Sequence, residues 1–466
     1  MNCAVEKTHD NGVASASWEP RLSRLSSDLL DQMERLRPAV VHEKAHVYPV
    51  SVPELWHKAT DAVIDWRIPP DKPVRLYVHI PWCLARCTFC FYESRAGVPP
   101  ETDVAAYIAC LKTELGLYAR NLRQNRLAAE TLYIGGGTPS VLTPEQIRHF
   151  MDVIHDAVDF VKGASLIAEV SPGTLTPEKV AAFVEKGISR VSIGVQSFDD
   201  TILKICGRDH DAAGAVKAYE MLREAGIPEI NFDLMLALPE QTLDSFARSV
   251  GKALELAPSS LSFLDLRVAP GSPLHKSGHY YPTWREDICM RAIYQEMLKA
   301  DGRYERTRPH YYILPEQARG RSTRVPCLDS RPGPGCQIGI GVTAYSHIGD
   351  VCFINARNPK YQLTIQSGHL PVEWALTLDE EDKTAMRAIR DVVDLTVVPN
   401  LPEVLAQYPE QVKFLKDNGL IDADYSLTDD GCLFGEEIAY MFYPAKAKAA
   451  EMAACAAVGQ TEGYER

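Results

Sequence analysis

The chain has 466 residues, of which 24% are charged and 46% are apolar, a balance typical of a globular protein with a large core. Its formal net charge is −13, which argues against nucleic-acid binding, because phosphate contacts need clustered Lys and Arg. The N-terminus lacks the apolar core of a signal peptide, and no stretch is long and apolar enough to cross a bilayer. The sequence therefore predicts a cytoplasmic protein without nucleic-acid or membrane partners.

Residues 1–72 show no regular alternation of strands and helices, and we expect a helical or irregular segment there. From residue 73 onward, short β-rich runs alternate with helical patterns. The predicted strands are 75–80, 131–136, 165–170, 190–195, 229–236 and 261–268. Strand–helix repeats of this length predict a parallel sheet, and six units fit a partial (β/α) barrel. We therefore expect an α/β fold with a barrel domain over 73–356.

The pattern changes after residue 356, where we expect a C-terminal domain over 357–466. The stretch 409–443 is typical of a helix, a short hairpin and a second helix, as in a winged-helix unit. Winged helices often bind DNA, but this stretch carries an acidic run. The acidic residues are Asp422, Asp424, Asp429 and Asp430. They favour a structural or substrate-covering role for the unit.

Three of the 12 cysteines are concentrated directly after the first predicted strand, at Cys83, Cys87 and Cys90. Zinc would need a fourth ligand, which the upstream His79 can supply, so spacing alone leaves a zinc site open. An iron–sulfur cluster normally takes four thiolates. With three, one iron keeps an exchangeable position at which a cofactor can bind. The other nine cysteines are scattered, which predicts small buried side chains.

Other polar groups lie at the ends of the following predicted strands. The glycine-rich string GGGTP (135–139) follows the second strand, Glu169 ends the third, Gln196 follows the fourth, and Asp233 lies in the fifth. Because the carboxyl ends of barrel strands meet at one mouth, we expect these groups to converge there with the cysteines.

The Cx₃Cx₂C spacing after a first barrel strand resembles the radical S-adenosylmethionine (SAM) superfamily. The strings YVHIPWC, GGGTP, IGVQSFDD and NFDLMLALPEQT are similar to those of the oxygen-independent coproporphyrinogen III oxidase (HemN) family, which includes HemW-type proteins. The similarity resumes at 338–350. This resemblance implies a [4Fe–4S] cluster on Cys83, Cys87 and Cys90, with SAM on the fourth iron. It also implies a reduced flavodoxin or ferredoxin-type electron donor.

The same resemblance assigns residues to two SAM molecules. Gly135 to Thr138 match the loop along the methionine portion, Glu169 matches a carboxylate that meets the amino group, and Arg208 matches the arginine that pairs with the SAM carboxylate. Gln196 and Asp233 match residues that contact the ribose, while the segment around Gly339 to Ala344 matches the second SAM site. The full set implied for cofactor binding is Tyr77, Gly135, Gly136, Gly137, Thr138, Glu169, Gln196, Arg208, Asp233, Gln337, Gly339, Ile340, Gly341 and Ala344.

Two regions depart from the HemN pattern. Coproporphyrinogen oxidases carry a further cysteine in a CxxCxC arrangement, where this chain has Phe91 and Tyr92. Residues 303–337 match neither subgroup, and we expect a substrate loop there. Its candidate catalytic residues are His310, Tyr311 and Tyr312. These departures favour the related class C radical SAM methyltransferases and cyclopropane-forming enzymes, which use two SAM molecules. Such enzymes transfer a methyl or methylene carbon to an sp² carbon of an aromatic heterocyclic natural product.

Three alternatives stay open at this stage. The first is oxygen-independent decarboxylation of coproporphyrinogen III. The second is a HemW-like haem chaperone, for which His79, His310 or His347 is a candidate axial ligand. The third makes the C-terminal unit a protein-interaction module. Carbon transfer and decarboxylation, the two enzymatic interpretations, both require a small-molecule substrate.

Overall fold

The structure is a computed structural model that describes residues 19–36, 55–59, 73–90, 92–123, 125–266, 268, 274, 276–318, 336–393, 395 and 401–457. Most of the predicted N-terminal segment lies outside these described residues. Phe91 also lies outside the described residues. The same holds for residues 319–335, which belong to the predicted substrate loop.

Strands form one large sheet and one small one. They are β1 (His57–Lys58), β2 (Val74–Ile80), β3 (Trp82–Cys83), β4 (Arg95–Ala96), β5 (Leu127–Gly136), β6 (Val158–Val170), β7 (Arg190–Gln196), β8 (Glu229–Leu236), β9 (Ser260–Asp265), β10 (Glu305–Arg308), β11 (Tyr311–Ile313), β12 (Gln337–Ile340), β13 (Tyr345–Ile348), β14 (Val351–Asn355) and β15 (Val372–Thr377). Among the described residues, the large sheet has the order β1-β15-β14-β13-β12-β2-β5-β6-β7-β8-β9-β11-β10. β3 and β4 pair separately.

Six consecutive parallel strands form the centre of this sheet: β2, β5, β6, β7, β8 and β9. They coincide with the six predicted strands, so the predicted α/β fold with six barrel units is confirmed. β5 and β6 begin several residues earlier than predicted. The added part of β6 includes three consecutive exposed residues, Val161, Lys162 and Gly163, which lack the alternation of buried and exposed positions that marks a strand.

The sheet extends beyond the barrel strands at both edges. β12 runs parallel to β2, and β13, β14, β15 and β1 follow in antiparallel order. At the opposite edge, β10 and β11 form a hairpin on β9. β14 lies before the predicted boundary at residue 357 and pairs with β15, which lies after it. The domain limits stay a prediction.

Helices cover the outer face of the barrel and build the C-terminal region. They are α1 (Glu19–Leu22), α2 (Ser27–Arg35), α3 (Glu101–Asn121), α4 (Pro144–Ala157), α5 (Pro177–Glu185), α6 (Asp200–Ile205), α7 (Ala212–Glu224), α8 (Leu243–Leu256), α9 (Trp284–Asp301), α10 (Pro315–Ala318), α11 (Lys360–Gln366), α12 (Glu380–Val393), α13 (Leu401–Leu405), α14 (Pro409–Asp417), α15 (Gly435–Met441) and α16 (Ala445–Ala457). Thr143, Thr242 and Thr283 each close a capping box that fixes where α4, α8 and α9 begin. In the part of the chain that the structure describes, every helix is too short or too polar to span a bilayer.

Alternating residues of the parallel strands serve two different cores. In β2, Val74, Leu76 and Val78 join the large apolar core, which also includes the outer helices. Tyr77 lies between Leu76 and Val78 and faces the opposite side of the strand, where it packs with a small separate cluster. That cluster consists of Tyr133, Ile167, Tyr311 and Ile313. The period of two therefore places Tyr77 inside the barrel, on the same face as the predicted site.

The C-terminal region follows the predicted helix–hairpin–helix order, with α14 and α15 flanking a single antiparallel bridge between Ile421 and Leu427. Two residues of its acidic run form ion pairs with other parts of the chain. Asp429 accepts from Arg306 and Lys299, and Asp430 accepts from Arg21 of α1. These pairs join the C-terminal region to α1, α9 and β10, in line with the structural role that its charge favoured.

Candidate functional site: the mouth of the barrel

The loop after β5 is bonded directly to the loop after β2. The Gly137 N–H donates to the Ile80 carbonyl (2.8 Å), and the Thr138 N–H donates to the Trp82 carbonyl (2.7 Å). A Cβ atom on Gly137 would lie 2.4 Å from the Trp82 oxygen, so only glycine fits there. This contact brings GGGTP against Cys83, whose thiol also hydrogen-bonds the side chain of Thr138.

The three concentrated cysteines are free thiols at this mouth, each partly exposed. Burial raises the pKa of Cys83, and burial together with the neighbouring thiols raises that of Cys90 to about 11. Among the described residues, no three His, Cys, Asp or Glu side chains converge on a single-ion site. Three thiols in one loop, each partly exposed, are the ligand type of an iron–sulfur cluster, whose irons favour the thiolate form.

His79 is the possible fourth ligand of a zinc site. Both of its ring nitrogens already form hydrogen bonds. Its Nε2 bonds the Glu93 carbonyl (2.8 Å), and its Nδ1 bonds the Tyr77 hydroxyl (3.1 Å). Burial lowers the pKa of His79 to about 4, so the ring is neutral near neutral pH. A Cβ atom on Gly136 would lie 2.3 Å from Nδ1, which explains a glycine with φ of +95° at that position. These bonds do not favour His79 as a metal ligand.

Arg208 links the cysteine loop to the ends of the strands. Its guanidinium donates to Cys87 Sγ (3.0 Å), Ser171 Oγ (3.2 Å) and the Gly194 carbonyl (2.6 Å). Its buried Nε has no hydrogen-bond partner among the described residues. A guanidinium beside a cluster ligand with an unused donor fits a carboxylate ligand.

Gln196 adopts a backbone conformation that costs free energy. Its φ of +65° lies in the left-handed region, which disfavours a residue with a Cβ by about 1–2 kcal/mol. Its Oε1 is buried and has no hydrogen-bond partner in the described part of the chain. Strain combined with an orphaned acceptor is a common mark of a ligand site, and this acceptor suits a hydroxyl donor.

Two carboxylates complete the mouth. Glu169 accepts the Tyr133 hydroxyl, and burial with the nearby charge of Asp233 raises its pKa to about 7. Asp233 accepts from Ser192 (2.8 Å) and Asn231 (2.8 Å), while burial raises its pKa. A cationic ligand beside them would favour both ionised forms.

A polar network inside the barrel supports these carboxylates, and our sequence interpretation missed it. Asn231 donates to Ser192 Oγ (2.8 Å) and accepts from Ser260 (2.9 Å). Arg190 donates to the hydroxyls of Ser260 (3.3 Å) and Tyr311 (2.5 Å). The network connects Asp233 with the N-terminal ends of β7 and β9, where Arg190 and Ser260 lie. Polar residues at alternate positions of three predicted strands were the available signal.

The three candidate catalytic residues separate in the structure. Tyr311 lies inside the barrel, 1% exposed, as the acceptor for Arg190. Tyr312 points to the outer layer, where it packs edge-on against Phe263 and Tyr294. His310 lies in the turn between β10 and β11 at the mouth side of β9, and its carbonyl accepts from the Phe263 N–H (2.9 Å). This placement does not favour a catalytic role for Tyr312.

The segment predicted for the second SAM begins beside β2, the strand that leads into the cysteine loop. β12 pairs with β2 from Gln337 opposite Arg75 to Ile340 opposite Val78, so the loop of Gly341 to Ala344 leaves the sheet next to the cysteine loop. Gln337 stands at the other end of β12. Four residues of strand, about 13 Å, separate it from Gly341. The structure therefore does not bring Gln337 to the mouth with Gly339, Ile340, Gly341 and Ala344.

Residues 77–253, which hold this entire arrangement up to β8, match the family model of the radical SAM superfamily. This part of the chain is therefore similar to the radical SAM superfamily, in agreement with the resemblance that its sequence motifs indicated. The fold as a whole has a counterpart among solved structures. The solved structure of coproporphyrinogen III oxidase (HemN) from Escherichia coli superposes with a TM-score of 0.69 at 24% identity. That superposition covers 81% of this chain and 91% of the HemN chain, which confirms the predicted fold.

Curated relatives carry two different names. A heme chaperone HemW from Haemophilus influenzae is 34% identical over 208 residues, covering 44% of this chain and 54% of the relative. The "Coproporphyrinogen III oxidase, anaerobic 1" of Cereibacter sphaeroides is 28% identical over 353 residues, covering 73% of this chain and 77% of the relative. The chain thus spans little more than half the length of the HemW relative. These names do not support the predicted class C methyltransferase branch, and they agree better with its alternatives.

Proposed function

We propose that the protein is a HemN-like radical SAM enzyme that oxidatively decarboxylates the propionate side chains of a porphyrinogen. The observation that carries the proposal is the contact of Arg208 with Cys87, which sets a guanidinium beside one of the three concentrated thiols. The relative named coproporphyrinogen III oxidase, matched over 73% of this chain, supports the choice of substrate. The activity and the substrate are both part of the proposal.

The roles of the residues follow from their chemistry. Cys83, Cys87 and Cys90 would hold the cluster, which with bound SAM supplies a 5′-deoxyadenosyl radical for removing a substrate hydrogen atom. Arg208 would bind the SAM carboxylate through its unused donor. Glu169 would accept from the SAM amino group.

The ribose of the same SAM would lie between two further acceptors. Gln196 offers its orphaned Oε1, and Asp233 offers a carboxylate already oriented by Ser192 and Asn231. A second SAM would lie against the loop of Gly341 to Ala344, beside the first. A small-molecule substrate and a flavodoxin- or ferredoxin-type donor complete the proposed partners.

Transfer of a methylene carbon to an aromatic substrate is the second candidate. It is favoured by Phe91 and Tyr92, which stand where coproporphyrinogen oxidases carry a further cysteine. The haem-carrier alternative has less support, because His79 and His347 each bond a backbone carbonyl through Nε2. His347 is also 6% exposed, and burial lowers its pKa to about 4.

One anaerobic experiment tests the proposal and its rivals. Reconstituted protein is incubated with dithionite, methyl-deuterated SAM and coproporphyrinogen III, and the products are analysed by mass spectrometry. The proposal predicts 5′-deoxyadenosine and loss of carbon dioxide from the porphyrinogen, with no deuterium in the tetrapyrrole product. The Cys87→Ala variant is the matched control and should form neither product. If SAM is cleaved while coproporphyrinogen III stays intact, the decarboxylase proposal is wrong. Deuterium in the tetrapyrrole would support methylene transfer instead.

A further inference from the structure

A buried carboxylate on α3 lies directly behind the loop that follows β12. Glu114 is 0% exposed and accepts from the Gly341 N–H (2.9 Å), the Asn355 side-chain amide (2.7 Å) and the Tyr361 hydroxyl (2.6 Å). These donors come from a loop, from β14 and from α11. One side chain therefore joins three separate elements of the chain beneath this loop.

A second side chain on the same face of α3 holds the next part of the loop. Tyr107 donates to the His79 carbonyl (2.8 Å) and accepts from the Val342 N–H (3.1 Å). Tyr107 and Glu114 are seven residues apart, two helical turns, so they lie one above the other. Together they tie the loop of Gly341 to Ala344 to the strand that leads into the cysteines.

The charge of Glu114 has no counter-ion within the described residues. Neither its hydrogen-bond partners nor the charges that shift its pKa include a Lys, Arg or His. The titratable groups that face it are Tyr107, Cys110 and Tyr118 on α3 and Tyr361 on α11, and each has a raised pKa. Burying a lone carboxylate is costly, whereas fixing a loop needs only neutral acceptors. The arrangement therefore suits a cation bound on the open side of the loop.

We infer that Glu114 is the positioning residue and counter-charge for the sulfonium of the second SAM, an inference that rests on the two-SAM site of the proposed function. The carboxylate acts through the Gly341 peptide and does not touch the ligand. It holds the loop in one conformation and attracts a positive ligand. It should therefore favour SAM over S-adenosylhomocysteine, which lacks the methyl group on sulfur and with it the positive charge.

The test measures binding to the cluster-loaded protein by equilibrium dialysis with radiolabelled SAM and S-adenosylhomocysteine. The wild type should bind two SAM molecules per chain. At pH 9, where Glu114 is ionised, the second SAM should bind Glu114→Gln at least about tenfold more weakly than the wild type, because the charge behind the loop is lost. Binding of S-adenosylhomocysteine at that site and of the first SAM should change little. Tyr118→Phe, on the same helix, removes a hydroxyl that contacts Ser346 (3.4 Å) and should keep the wild-type preference.

The outcomes separate the inference from the proposed function. If the second site of Glu114→Gln loses SAM and S-adenosylhomocysteine equally, or loses neither, Glu114 is not a counter-charge and the inference is wrong. If the wild type binds a single SAM, the two-SAM site of the proposed function fails and takes the inference with it. The pH dependence of binding to the wild type tests the inference even if the variant does not fold. The preference for SAM at the second site should rise from pH 6.5 to 9 as Glu114 ionises, and a flat ratio would overturn the inference.

Discussion

Replacing Arg291 by Met should release the C-terminal helices from the barrel. Arg291 is 6% exposed and donates to Glu437 (3.1 Å), Asp287 (2.7 Å) and the Leu433 carbonyl (2.8 Å). The variant keeps the length of the side chain but leaves two buried carboxylates without their cation. Breaking such a buried pair costs about 3–5 kcal/mol. Because about 1.4 kcal/mol is a factor of ten, α15 should open roughly a hundredfold more often, or more.

Native-state hydrogen exchange of the α15 amides (Gly435–Met441) measures this opening without requiring a two-state transition of the whole chain. Lys299→Met is the matched control on the same helix, α9. It breaks a pair with Asp429 whose side chains are 67% and 48% exposed, so it should cost less than about 1 kcal/mol. Exchange in α15 that is as slow in Arg291→Met as in Lys299→Met would refute the reasoning.

Three further predictions follow from the site. Cys→Ser at any of positions 83, 87 and 90 should abolish iron binding after anaerobic reconstitution, whereas Cys206→Ser, a buried thiol beside the same loop, should retain it; normal iron content in the first three would exclude them as ligands. Arg208→Ala should weaken SAM binding by about 3–5 kcal/mol at unchanged iron content, and an unchanged dissociation constant would contradict the carboxylate assignment. Burial raises the pKa of Glu114 from 4.5 to about 8, so between those values the folded protein binds a proton that the unfolded chain releases. The free energy of unfolding should therefore fall as pH rises from 5 to 8, by up to about 1.4 kcal/mol per pH unit from this group. Glu114→Gln should remove that slope in urea titrations, and an unaltered slope would mean that Glu114 is ionised throughout.

The barrel was predictable because each parallel strand is a short apolar run, and a segment with the apolar spacing of a helix follows it in the sequence. The strand ends were predictable for the same reason, since GGGTP and Glu169 each stand where a predicted strand stops, while Asp233 lies within its strand. The resemblance supplied Arg208, which no period marks, since it lies in a turn after α6. Its contact with Cys87 depends on the packing of two loops that are 121 residues apart.

Other contacts could not be predicted, because they join distant parts of the chain. Glu114 belongs to an ordinary amphipathic helix, and nothing in its local sequence shows that Gly341, Asn355 and Tyr361 meet it. Tyr312 looked like a site residue because it neighbours Tyr311. The period of two places these neighbours on opposite faces of β11. Likewise, the strand β15 beyond residue 357 pairs across a boundary that was drawn from a change of pattern alone.

The position of β2 has a consequence for how the protein acquires and survives the loss of its iron. Partner strands flank it on both sides, β5 on one and β12 on the other. A strand in the middle of a sheet cannot fray as an edge strand can. Oxidative damage that strips the metal should therefore leave the scaffold folded around three empty thiols. Cluster insertion would then be a late step on the folded protein. A chain that has lost its cluster could be reloaded without being degraded and synthesised again.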